Sequence, residues 1–137
     1  MFSTSAPAAP AVVVHGLEQA CAALRSGLPV TLLSAHGAAC YGGCAWWRAL
    51  VAAAQAETGN NCRDILDCAD APGYALAALR IGQTALVLDP TCRGFPAVVA
   101  IAETLGAQIL SERPRCLDLA DRGAIRRLAA WLTPPPA

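Results

Sequence analysis

The residues able to do chemistry in this chain fall into three short stretches. "SAHGAACYGGC" (34–44) gathers His36, Cys40 and Cys44 among Gly37, Gly42 and Gly43. "DCAD" (67–70) supplies Asp67, Cys68 and Asp70, and "DPTCR" (89–93) supplies Asp89, Thr91, Cys92 and Arg93. Each stretch ends or follows an apolar run, where the carboxyl ends of parallel strands present ligand-binding groups.

Three chemistries fit those residue types. A cysteine opening a helix has its thiolate favoured by the dipole and by unpaired N–H groups, so Cys40 or Cys44 with His36 as base would make a nucleophilic centre. Glycines between a strand and a helix let backbone N–H groups approach a small anion, with Arg93 as countercharge. The G-x-G-x-x-G order and the P-loop lysine are both missing, so neither nucleotide fingerprint is met. A metal would need His36, Cys40 and Cys44 with Asp67 or Cys92 as fourth ligand. The glycines break the helix that would align the first three, and no second closely spaced pair exists, so no metal site is assigned. No cofactor is assigned either. Each residue also has an ordinary role: loop aspartates cap helices, glycines turn the chain, and buried thiols pack as small hydrophobes.

Composition removes several classes. The formal charge is zero and no basic run occurs, which leaves no footprint for nucleic acid or an anionic membrane. Every basic residue is arginine, which excludes Schiff-base chemistry and a lysine-dependent phosphate pocket. "MFSTSAPAAPAVVVHG" has no basic residue and is broken by prolines, so it does not read as a secretory signal. The most apolar window, 94–110, contains Glu103 and is barely the length of a minimal membrane span. Seven cysteines, an odd number, fit reduced thiols and a cytoplasmic setting. Hydrophobic residues at 55% against 15% charged lead us to expect a homo-oligomer. Trp46 and Trp47 point about 100° apart on a helix, so with Trp47 inward Trp46 is the interface anchor, with Trp131 as a second.

The elements that must position these groups alternate regularly. Strands read at 11–15, 29–35, 62–69, 84–89 and 107–111. Helices read at 17–27, burying Leu17, Cys21 and Leu24, and from the glycine loop to Ala56, burying Trp47, Leu50, Val51 and Ala54. Further helices read at 72–82 and at 95–106, the latter packing Val98, Val99, Ala102 and Leu105. A link through "CLDLA" leads to a last helix capped by Asp121, burying Ile125, Leu128 and Leu132. The spans 1–10 and 133–137 read as loose proline-rich tails around one domain, 11–132.

Strands too apolar to leave a face in water, alternating with helices, predict a single three-layer α/β/α domain. Its sheet is mostly parallel, of about five strands and flavodoxin-like, with a sequential half-barrel as the alternative. "DILDCADAPG" resembles the phosphoacceptor strand and loop of response-regulator receiver domains, with Asp67 at the matching place. The first strand's end, "VVVHG", lacks the acidic pair, and no lysine follows strand five, so the resemblance implies a similar sheet architecture alone. The expected site is a hollow shared by the tips of strands two, three and four. It is lined by Gly37, Gly42, Gly43, Asp67, Asp70, Asp89, Thr91, Cys92 and Arg93 and takes a small anionic ligand. The alternatives are a cysteine-dependent enzyme and a purely structural oligomer.

Overall fold

The computed structural model describes residues 9–136. It opens with β1 (Ala11–Val13), α1 (Leu17–Leu24) and β2 (Thr31–Leu33), then a short α2 (Ala38–Tyr41) and the long α3 (Cys44–Thr58). There follow β3 (Arg63–Asp67), α4 (Pro72–Arg80), β4 (Ala85–Val87), α5 (Phe95–Leu105), β5 (Gln108–Leu110), β6 (Cys116–Asp118) and α6 (Ala124–Leu132). Pro72 and Pro96 stand in the first turns of α4 and α5, where a missing N–H does no harm. Gly59 and Gly106 end α3 and α5 in the left-handed conformation.

The chain is an α/β fold with one sheet of six parallel strands flanked by helices, consistent with a flavodoxin-like arrangement. The strand order is β5-β4-β3-β2-β1-β6. The first five strands therefore lie in chain order, the wiring of the half-barrel alternative, and β6 joins the far side of β1. One face of the sheet presents Val12, Leu32, Leu66, Leu86 and Leu117 to a core that takes in the buried residues of every helix, with Trp47 and Leu24 among its largest fully buried side chains. The opposite face carries a smaller cluster of strand residues: Val13, Leu33, Ile65, Ala85 and Val87.

The connection between the two edge strands bends this sheet. Six strands laid flat would hold β5 and β6 about 24 Å apart. Residues 111–115 can span at most about 22 Å fully extended. They must also return from the carboxyl end of β5 to the amino end of β6, so the sheet curls and the link crosses its second face.

Several expectations change in detail. "CLDLA" contains a sixth strand, since Cys116 and Leu117 pair with Ala11 and Val12 along the free edge of β1. Leu17, Leu105 and Ile125 are exposed, and Val99 is half-buried. Helical spacing puts each of them on a possible inner face, but the buried stripe of each helix runs through other positions: Ala20, Cys21, Ala23 and Leu24 in α1, Val98 and Ala102 in α5, and Ala124, Leu128 and Leu132 in α6. The last helix begins after Gly123 with no side-chain cap, so Asp121 does not cap it. Of the tail expected over 1–10, residues 1–8 lie outside the described residues. Ala9 and Pro10 are tied to β2, their carbonyls accepting from Thr31 Oγ1 at 3.0 Å and Thr31 N at 2.9 Å. Of 133–137, Ala137 also lies outside.

Beneath α3 sits a buried polar knot. Asp64 Oδ2 accepts from Trp47 Nε1 and Gln83 Nε2, each at 2.8 Å, and is ion-paired with Arg48. It fixes α3 and the loop before β4 to the amino end of β3, opposite the edge where the candidate site lies.

Candidate functional site

The carboxyl ends of β2, β3 and β4 lie side by side. Together with the start of the crossing link they enclose a cleft of about 470 Å³. It is lined by His36 from β2's loop, Asp67, Ala69 and Asp70 from β3's, and Val87, Asp89 and Pro90 from β4. Ser111, Glu112 and Arg113 of the link close it.

Asp67 organises this edge. Its side chain is 1% exposed, and each oxygen has its own task. Oδ1 accepts the backbone N–H of Gly37 at 3.0 Å and of Ala69 at 2.8 Å. Oδ2 receives Arg113 Nη1 at 2.7 Å, and the same guanidinium donates to the Ser34 carbonyl at 3.1 Å. Ser34 Oγ accepts from Asp67 N at 2.9 Å, locking the tips of β2 and β3 together. His36 is 76% exposed with Nδ1 3.7 Å from Asp67 Oδ2, beyond hydrogen-bond reach, so the ring hangs free over the cleft.

Local backbone geometry serves the same carboxylate. Gly37 adopts φ +67°, a left-handed turn that aims its N–H at Asp67. Ala69 holds φ +51°, a conformation that costs a residue with a Cβ on the order of 1–2 kcal/mol. Its N–H meets Asp67 and its carbonyl accepts from Asp89 N at 2.8 Å, so the strained residue joins the tips of β3 and β4.

The four predicted residues His36, Asp67, Asp70 and Asp89 meet in the cleft, and Gly37 reaches it through its N–H. Thr91 does not line it; its N–H and hydroxyl both donate to Asp89 Oδ1, at 2.8 and 2.7 Å, and hold that carboxyl below the usual range. Arg93, Cys92, Gly42 and Gly43 lie outside the lining. Gly42 packs under Trp46, where an added Cβ would come within 2.8 Å of the indole. The countercharge expected from Arg93 comes from Arg113. Arg113, Ser111 and Glu112 were missed: they follow the fifth strand, but the pairing of Arg113 with Asp67 depends on the path of the link across the sheet.

Three thiols near the site, Cys40, Cys68 and Cys92, sit in surroundings unfavourable to a thiolate. Burial, then Asp70 and Asp67, push Cys40 up, and burial with Asp89 and Asp70 does the same for Cys92. Cys68 is raised to about 12, first by burial and then by Asp67. Cys40 Sγ lies 3.7 Å from the Cys68 carbonyl, and His36, whose nearest carboxylate is Asp67, makes no hydrogen bond to either Cys40 or Cys44. Cys44 is half-buried at the first position of α3. Among the described residues no group of three or more His, Cys, Asp or Glu side chains is arranged to hold a metal ion. All seven cysteines are free.

The charge balance is acidic. Asp67, Asp70, Asp89 and Glu112 face one arginine, which is already engaged by Asp67. The carboxylates of Asp70, Asp89 and Glu112 remain available to a ligand. No protein-family model matches the sequence, and a search of curated proteins returns no match.

Proposed function

We propose that this protein is a small-molecule-binding α/β domain whose ligand enters the cleft between the tips of β2, β3 and β4 and carries positive charge. The observation that supports this is the excess of carboxylates around a cavity of ligand size. Asp70, Asp89 and Glu112 would pair with an amine or guanidine, and His36 would accept or donate a further hydrogen bond. The anionic ligand that the glycine turn suggests has weaker support, because the Gly37 N–H already holds an anion of the chain, the Asp67 carboxylate.

Thermal unfolding with chemically distinct probes tests this. Agmatine or spermidine at millimolar concentration should raise the melting temperature, and inorganic phosphate should not. A ligand at a hundred times its Kd adds about 2.7 kcal/mol, well within detection. Stabilisation by phosphate with none by the cations would restore the anionic reading and end this one. Asp89→Asn and Glu112→Gln should each weaken the cation effect.

Self-association is a separate proposal. Trp46, in the first turn of α3, is 37% exposed, and Tyr41, the last residue of α2, is 71% exposed. Light scattering of the intact chain and of Trp46→Ser tests it, and a monomer mass for the unaltered chain would end it. Trp131 is committed elsewhere: its Nε1 donates to the Ala11 carbonyl at 2.8 Å and its ring lies under Arg115. No helix among the described residues is long and apolar enough to cross a membrane. Free thiols throughout support the cytoplasmic setting.

A further inference from the structure

The link between β5 and β6 is held in an unusual way. Among the described residues, no backbone hydrogen bond ties residues 111–115 to the sheet they cross. Leu110 and Cys116, at its two ends, pack against the second face. Between them, the side-chain attachments are Arg113, on Asp67 and Ser34, and Arg115, stacked 4.9 Å from the Trp131 ring. Segments with few backbone hydrogen bonds open at low free energy, independently of the rest of a fold.

What lies beneath the link is apolar. Asp67 shares its face of β3 with Ile65, two residues upstream, because side chains alternate along a strand. Register places Leu33 beside Ile65 and Val13 beside Leu33. From Arg113, above Asp67, the chain must pass over this row to reach Cys116 at the amino end of β6. Val87, on the same face, already lines the cleft together with Ser111, Glu112 and Arg113. The cleft and the covered face are thus adjoining compartments with the link between them.

We propose that residues 111–115 form a strap that opens and closes over the second face of the sheet, with the Arg113–Asp67 ion pair as its latch. Closed, the strap confines the cleft to the polar tips of β2 to β4. Open, it extends the cleft down onto Val87, Ile65 and Leu33, which would admit an apolar portion of a ligand. The latch does not depend on the charge of any ligand, so it stands or falls separately from the cation reading.

The test introduces a reporter thiol under the strap with Ile65→Cys and follows iodoacetamide labelling by peptide mass spectrometry. Native Cys68, fully buried and packed in the larger core on the other face, reports opening of the whole fold. In Ile65→Cys alone the introduced thiol should label far more slowly than exposed Cys40. Adding Arg113→Gln should raise that rate at least tenfold while the Cys68 rate changes less than twofold. Arg113→Lys, which keeps a charge for Asp67 but loses the reach to Ser34, should fall between, and carries the same comparison if Arg113→Gln does not fold. An unchanged rate at the reporter, or a rise in step with Cys68, would overturn the strap. So would a reporter that labels as fast as Cys40 before the latch is touched.

Discussion

Replacing Asp67 by alanine removes the acceptor for three donors at once. The Gly37 and Ala69 N–H groups lose their partner inside the fold, and each orphaned buried donor costs about 1–3 kcal/mol. Arg113 also loses its ion pair, but its side chain is 26% exposed, so water recovers part of that loss. The sum is about 3–5 kcal/mol, the range found when one partner of a buried pair is deleted. Asp67→Asn keeps an oxygen for the two backbone donors and turns an amide N–H₂ against the guanidinium, so its cost should be smaller, about 1.5–3 kcal/mol. Urea unfolding followed by tryptophan fluorescence reads both. With an m-value on the order of 1.5 kcal/mol/M, alanine should lower the midpoint by roughly 2–3 M. A double-mutant cycle with Arg113→Ala should give a coupling above about 1 kcal/mol. If alanine costs less than about 1 kcal/mol, or asparagine costs as much as alanine, Asp67 does not organise the site edge as argued.

The same logic applies to Asp64, where alanine strands Trp47 Nε1, unpairs Arg48 and leaves Gln83 Nε2 only the Ala85 carbonyl; a loss of about 3–5 kcal/mol with an altered Trp47 emission is expected, measured by the same unfolding assay. Burial raises Cys62 to about 11 and Cys68 to about 12, so between the unfolded thiol value near 9 and those values the folded chain holds more protons than the unfolded one. Stability should therefore fall as pH rises from about 9 to 12, and Cys68→Ala should flatten that slope in urea titrations across the range. Ala69→Gly should relieve the left-handed strain and leave stability unchanged or raise it by up to about 1 kcal/mol; a clear loss would show that the Cβ has a packing role.

Alternation of apolar runs with helical periodicity made the α/β class legible, and the inner face of α3 came out residue by residue because its four buried positions keep one helical stripe. The shorter elements were harder. Three residues of β6 carry too little alternation to stand out, and they become a strand because β1 offers an unpaired edge. The site was half legible for a similar reason. Asp67, Asp70 and Asp89 sit where strands end, a local property that sequence records. Arg113 reaches Asp67 across 46 positions, from a link whose path depends on which strand stands at each edge. Strand order was the quantity left open, so the arginine tied to the innermost carboxylate could not be named.

That missing arginine also turns the reading of the glycine loop. A turn such as "HGAACYGG" presents N–H groups to negative charge, and from sequence alone the charge is naturally imagined as a ligand's. In the fold the charge is Asp67, delivered from the neighbouring strand and buried with Gly37 and Ala69 N–H on one oxygen and Arg113 on the other. A carboxylate so fully engaged stabilises the edge and has little capacity left for a ligand. The groups that remain open to the cleft are therefore Asp70, Asp89, Glu112 and the free ring of His36. An incoming anion would meet the carboxylates of Asp70, Asp89 and Glu112, none of which has an arginine partner, whereas a cation would find acceptors there. The same Asp67 that satisfies the glycine turn is thus what leads us to propose a cation in place of the anion that the turn suggests.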